Sequence, residues 1–176
     1  MRPTAAEVAR TLASGRLEGT AHVRGYPARV KVRHATPADG RPLLLTGLAT
    51  DLATRLTPGP MVLSVDDLPP VPCAPTRGRL WLTGTAHLLD GADAQAAADA
   101  YAEVSPIGDL LDVGRGQVLF RIVPTEVRLA NGRRLAAVGV GMLQNNSAGD
   151  TLPEPARLEQ LRIDYRKPAV FEAKSV

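Results

Sequence analysis

Ala28-Arg29-Val30-Lys31-Val32-Arg33-His34 alternates apolar and basic side chains up to its final histidine. Successive side chains of an extended chain point to opposite faces. Val30, Val32 and His34 therefore share one face, and Arg29, Lys31 and Arg33 share the other. One apolar face and one solvated face is the pattern of a strand in an antiparallel sheet. Arg24-Gly25-Tyr26-Pro27 reads as the turn that feeds it, and Leu17 to Val23 as the preceding strand.

The pattern continues downstream. Pro37-Ala38-Asp39-Gly40 is a second turn, leading into Pro42-Leu43-Leu44-Leu45-Thr46, a short apolar run of the buried-strand kind. Leu48, Leu52 and Leu56 recur at helical spacing and predict a short helix, which Pro58-Gly59-Pro60 stops. Met61 to Val65 predicts another strand. Asp66 to Pro75 is too rich in proline for a central strand and predicts an extended surface connection. Arg79 to Leu89 reads as a strand whose Gly84 marks a bulge or bend. An alanine-rich helix spans Ala92 to Val104. Gln117 to Val123 is a long strand, interrupted at Pro124 and resumed from Glu126 to Leu129. Asn131-Gly132 is a hairpin signal, with Arg134 to Leu143 completing the pair.

Upstream, Thr4 and Glu7 stand at capping-box spacing before a helix that carries Val8 and Leu12 and ends at Gly15. Strands that follow one another and close in a hairpin favour an antiparallel barrel over a doubly wound parallel sheet. Residues 1–144 form this domain, and 145–176 read as a linker and C-terminal tail.

With 176 residues, the chain suits one domain that buries its core without disulfides. Aromatics make up only 3%, so the core must be aliphatic, and a base-stacking nucleic-acid surface is disfavoured. A net charge of +3 and a pI near 9.4 suit a small anionic ligand but are too weak to imply nucleic acid. The single cysteine, Cys73, forms no internal pair, which fits a reducing compartment. No membrane-length apolar run and no signal-peptide core are present, so the expected location is cytoplasmic.

Few residues announce chemistry. The three histidines, His22, His34 and His87, are scattered and lack the spacing of a structural zinc site. His34 ends its strand on the apolar face. It is either a histidine satisfied at a barrel rim or a contact to cofactor or substrate, and a haem iron would need only one such ligand. His22 falls on a face that reads as solvated, while His87 shares a face with Trp81, Thr83 and Thr85. Arg29, Lys31 and Arg33 are either a solvated stripe or a site for phosphate or carboxylate. Thr46, just before the helix from Leu48, and Arg55 upon it are a phosphate-holding pair or a plain cap and surface arginine.

Several runs resemble the FMN-binding split-barrel superfamily, the pyridoxamine-phosphate-oxidase-like proteins. They are Val32-Arg33-His34-Ala35-Thr36, Gly40-Arg41-Pro42-Leu43-Leu44-Leu45, Arg77-Gly78-Arg79-Leu80-Trp81-Leu82-Thr83-Gly84 and Leu110-Leu111-Asp112-Val113-Gly114-Arg115-Gly116. The texture is similar to the haem-utilisation (HugZ-type) branch without its further C-terminal domain. The resemblance implies a mainly β (α+β) protein: a six-stranded antiparallel Greek-key split barrel with flanking helices. It also implies a homodimer with haem or a flavin-type cofactor (FMN or the deazaflavin F420) at the subunit interface, and a haem-degrading or other oxidoreductase activity. The corresponding cofactor contacts are His34, Arg33, Thr46 and Arg55, with His34 as metal ligand only if haem is bound. The alternative is a non-catalytic binding or regulatory module that keeps the barrel and has lost the cofactor.

Overall fold

The computed structural model describes residues 3–56, 58–67, 78–131 and 134–143. Its strands are β1 (Gly19–Val23), β2 (Val30–Ala35), β3 (Leu43–Gly47), β4 (Gly59–Asp67), β5 (Gly78–Leu88), β6 (Gln117–Asn131) and β7 (Arg134–Val138). Three α-helices accompany them: α1 (Ala5–Ala13), α2 (Asp51–Arg55) and α3 (Gly91–Val104). Short 3-10 turns occupy Gly108–Asp112 and Val140–Leu143.

The strands pair in the order β3-β2-β1-β4-β5-β6-β7, all antiparallel, and a further β3–β6 ladder closes the first six into a barrel. The chain leaves β3 at one side of β2 and returns beside β1 as β4, which is the Greek-key crossing. β6 makes the split. One edge pairs with β5, while the other holds β3 along residues 117–121 and β7 along residues 127–131.

This geometry explains why Pro124 does not interrupt β6, contrary to the sequence expectation. Pro124 falls in the gap between those two ladders. It also adjoins a bulge, where the β5 register passes from Thr83↔Glu126 to Gly84↔Pro124 and leaves Thr125 over. Gaps and bulges are where strands tolerate proline. The bulge predicted at Gly84 is there, although the extra residue belongs to β6. A Cβ on Gly84 would stand 2.4 Å from the Val123 carbonyl oxygen, so only glycine permits this approach.

The alternation read from β2 is observed. Val32 and His34 point into the barrel, while Lys31 and Arg33 are exposed. The interior is aliphatic, with Leu44, Met61, Leu63, Leu80, Leu82 and Ile122 around Phe120. α1 packs Ala9, Leu12 and Ala13 onto the same cluster. A second cluster lies outside the barrel, where Ala97, Ala98 and Tyr101 of α3 cover Leu43, Leu45 and Leu119. β3 is thus buried on both faces, which is why it reads as an unbroken leucine run. Burial pushes the Tyr101 phenol up to about 12.

α1 begins as its capping box dictates. The Glu7 N–H donates to the Thr4 hydroxyl at 3.2 Å, and the Thr4 N–H donates to the Glu7 carboxylate at 2.7 Å. The Thr4 N–H and the Thr4 hydroxyl, both donating to it, hold the Glu7 carboxyl below its ordinary range. Thr4→Ala should lower stability by about 1 kcal/mol, read as a reduced urea midpoint with unchanged slope.

Three boundaries differ from expectation. The helix predicted from Leu48 starts at Asp51, because Thr50 takes the cap position and accepts from the Ala53 N–H at 3.3 Å. β4 runs on to Asp67 rather than stopping at Val65, with Asp66 held by Arg79 of β5. The closing strand of the hairpin ends at Val138, and Val140–Leu143 coils into a 3-10 turn. Cys73, most of the proline-rich connection and the tail 145–176 lie outside the described residues.

Candidate functional site

A cleft of about 410 Å³ opens where β5 leads into α3. Leu48, Leu88, Leu89, Val113 and Val118 line it with apolar carbon, and Asp90 and Gln95 supply the polar rim. Its volume falls in the usual range for small-molecule sites, roughly 300–1,000 Å³. Leu48 and Leu88 are 52% and 46% exposed, so this apolar wall stands open to solvent.

The chain builds the wall from three turns. The Leu48 N–H donates to the Gly116 carbonyl at 2.9 Å, which ties the β3–α2 connection to the turn before β6. The Gly114 N–H donates to the Gln117 carbonyl at 2.9 Å, with Gly114 at φ +86°. The Leu89 N–H donates to the Leu119 carbonyl at 2.9 Å, setting the exit from β5. The leucine spacing puts Leu48 on the helix, whereas the helix starts at Asp51. Leu48 reaches the cleft because Thr50 caps the helix two residues later, and the Thr50-Asp51 pair was the signal for that start.

Thr46 is the register partner of Val118, a cleft residue, and so shares its face of the sheet. Its Oγ1 lies 3.2 Å from that of Thr50. The Thr50 hydroxyl donates to the Gly47 carbonyl at 2.7 Å, so Thr46 is the donor between the two threonines. Arg55 sits at the far end of α2 with its guanidinium 5.0 Å from the Tyr26 ring centre, a cation–π contact. Thr46 and Arg55 therefore bracket one short helix.

Arg33 and His34 lie elsewhere. Arg33 is on the outside of β2, 3.1 Å from the Asp109 carboxylate. His34 is inside, 1% exposed, and neither ring nitrogen has a hydrogen-bond partner of good geometry. Gly19 closes over the ring: a Cβ there would stand 3.0 Å from Nδ1. Burial lowers the His34 pKa to about 4, and the nearby Leu12 backbone offsets only part of that effect. The four residues singled out from sequence are thus spread over three surroundings, and none of them lines the cleft, Thr46 coming nearest as the register partner of Val118.

His22 is half-buried rather than solvated. Its Nε2 is 3.0 Å from the Ser64 hydroxyl. Burial, then the charges of Arg29 and Arg79, hold its pKa below the ordinary value. Trp81, on the same outer sheet face, carries the Arg79 guanidinium 5.7 Å from its ring centre. Among the described residues, no cluster of three histidine, cysteine or carboxylate side chains could hold a metal ion. No described helix is long and apolar enough to cross a membrane.

Comparison with solved structures places this geometry. The heme binding protein from Mycobacterium smegmatis superposes with a TM-score of 0.62 at 18% identity, over 81% of this chain and 61% of its own. The FAD binding protein from the same organism superposes with a TM-score of 0.54 at 14% identity, over 74% and 98%. The general stress protein 26 relative of Clostridium acetobutylicum, of the pyridoxinephosphate oxidase family, gives 0.53 at 12% identity, over 78% and 96%. These structures share the fold seen here, a six-stranded antiparallel split barrel. ChuZ of Campylobacter jejuni has the same barrel (TM-score 0.57 at 8% identity, over 77% of this chain), and this chain spans 56% of its length. No family model matches the sequence, and no curated protein is significantly similar to it.

Proposed function

We propose that this split barrel binds a flavin-type cofactor, FMN, FAD or the deazaflavin F420, in the cleft between β5, α3 and the β3–α2 connection. The observation that carries the reading is the apolar wall of Leu48, Leu88, Val113 and Val118, with Leu48 and Leu88 open to solvent, which the face of an apolar ring would cover. Thr46 and Arg55 flank α2 as contacts for a phosphate, which would draw the Thr46 hydroxyl proton away from Thr50. A bound flavin supplies electron or hydride transfer, and the protein would serve as an oxidoreductase. A second copy of the chain closes the open side, since a monomer leaves Leu48 and Leu88 in water.

Haem fits this cleft less well. Its lining residues include no histidine, cysteine, methionine or tyrosine to bind the iron axially. His34 would reach haem only if the barrel opened. The likeness to a heme binding protein keeps haem as the second reading, with its ligand outside the described residues.

The test is the absorbance spectrum of the purified protein, followed by titration with FMN, FAD, F420 and haemin. A flavin should bind, and Leu48→Asp should weaken it. At a hundredfold excess over its dissociation constant, binding should add about 2.7 kcal/mol to stability. A haemin Soret band unchanged in His34→Ala would favour the second reading. No band, no binding and no thermal shift would leave a barrel without cofactor, the binding or regulatory module of the alternative.

A further inference from the structure

Arg121 and His87 face each other across β6 and β5 on the outside of the barrel. Phe120 and Ile122 point inward and are fully buried, so Arg121 between them points outward. The same alternation puts His87 outward next to buried Ala86. Neither residue lines the cleft.

The surroundings of Arg121 are unusual for this chain. Arg33, Arg79 and Arg128, also on strands, each have an acid: Asp109, Asp66 and Glu126 respectively. Arg121 is half-buried, its Nε is fully buried, and that N–H meets no acceptor. No ion pair among the described residues neutralises it. Its cross-strand neighbours are His87 on one side and Leu43 on the other. Leu43 and Leu119 are buried beneath the α3 cluster and exclude water from that flank. A buried donor without an acceptor costs roughly 1–3 kcal/mol.

We propose that Arg121 and His87 form an oxyanion-binding site on the outer face of β5 and β6, for the phosphate or carboxylate of a small ligand. Arginine presents Nε–H and a terminal N–H as a planar fork that two oxygens of one anion accept together. Imidazole adds at least one further donor in any tautomer. The low-dielectric flank strengthens these bonds relative to those of an arginine in open water. The site satisfies the Nε–H that the fold leaves without a partner.

The test follows the Arg121 Nε–Hε resonance by NMR while inorganic phosphate is added, then acetate, at constant ionic strength with chloride as the control. The expected result is a saturable shift with phosphate, acetate or both, absent with chloride; the stronger response identifies the anion class. His87→Ala should weaken binding about tenfold, the worth of one charge-assisted bond. Arg121→Lys should keep the fold and the charge and lose the fork, weakening binding similarly. Three results would overturn the proposal: no saturable shift with either anion, an equal response to chloride, or undiminished phosphate binding in the folded Arg121→Lys variant. A resonance that moves with protein concentration alone would also overturn it, assigning the pair to a contact between copies.

Discussion

Lowering the pH should destabilise this protein by about 3 kcal/mol through His34 alone, beginning near pH 6.5 and complete near pH 4. The sign follows from where the proton binds. In the folded chain the imidazole is sealed between Leu12, Gly19 and the barrel interior, and stays neutral until about pH 4. In the unfolded chain it titrates at its ordinary 6.5. Between those values the unfolded state holds more protons, so stability rises with pH across the window and levels off above it. The magnitude is the separation of the two values at 1.36 kcal/mol per unit. Urea unfolding of the native protein and of His34→Leu, above pH 6.5 and near pH 4, measures the difference. The variant should lose much less stability on acidification. At neutral pH it should match or exceed the parent, because it removes buried ring nitrogens that make no hydrogen bond of good geometry. Equal pH slopes in the two proteins would mean that the ring is not sealed as described.

The barrel was legible because its strands obey simple period-two chemistry. Val30-Lys31-Val32-Arg33-His34 fixes which side chains enter the core, and β5 repeats the lesson from Leu80 to Ala86. The leucine run of β3 and the alanine stripe of α3 each signal a face covered by another layer. The pairing of β3 with β6 was not legible, because it joins residues seventy or more positions apart, and local pattern carries no record of that closure. The site was legible only in part. His34 was correctly placed on the inward face, but alternation alone cannot separate a strand end that opens on a pocket from one sealed by a helix and a glycine. Thr46 pairs with the cleft residue Val118 without lining the cleft itself, while Leu48 reaches the wall because its helix starts later than the leucine spacing suggests. Arg121 gave no signal, since what distinguishes it is the absence of a carboxylate, a property of packing.

Gly15→Ala should cost ~3 kcal/mol or more, against about 1 kcal/mol for Gly25→Ala. Both glycines have positive φ, +97° and +77°, so both substitutions pay the left-handed backbone penalty. They differ in space. A Cβ on Gly25 meets nothing within 4 Å, whereas one on Gly15 would stand 2.2 Å from the His34 carbonyl oxygen and 2.8 Å from the Ala35 Cα. Those atoms are backbone of β2, which is held by β1 and β3 on its two sides and cannot yield as a side-chain tip would. Relief must come from shifting the end of α1, whose Leu12 backbone lies beside the His34 ring. The two predictions are therefore coupled: Gly15→Ala should lower the urea midpoint and also flatten the dependence of stability on pH, as water reaches the imidazole and its folded pKa returns towards the unfolded one. Gly25→Ala, on the loop between β1 and β2, should leave that pH dependence intact. Equal losses in the two variants would show that α1 is not seated tightly on β2. A large loss from Gly15→Ala with an unchanged pH profile would separate the helix contact from the sealing of His34.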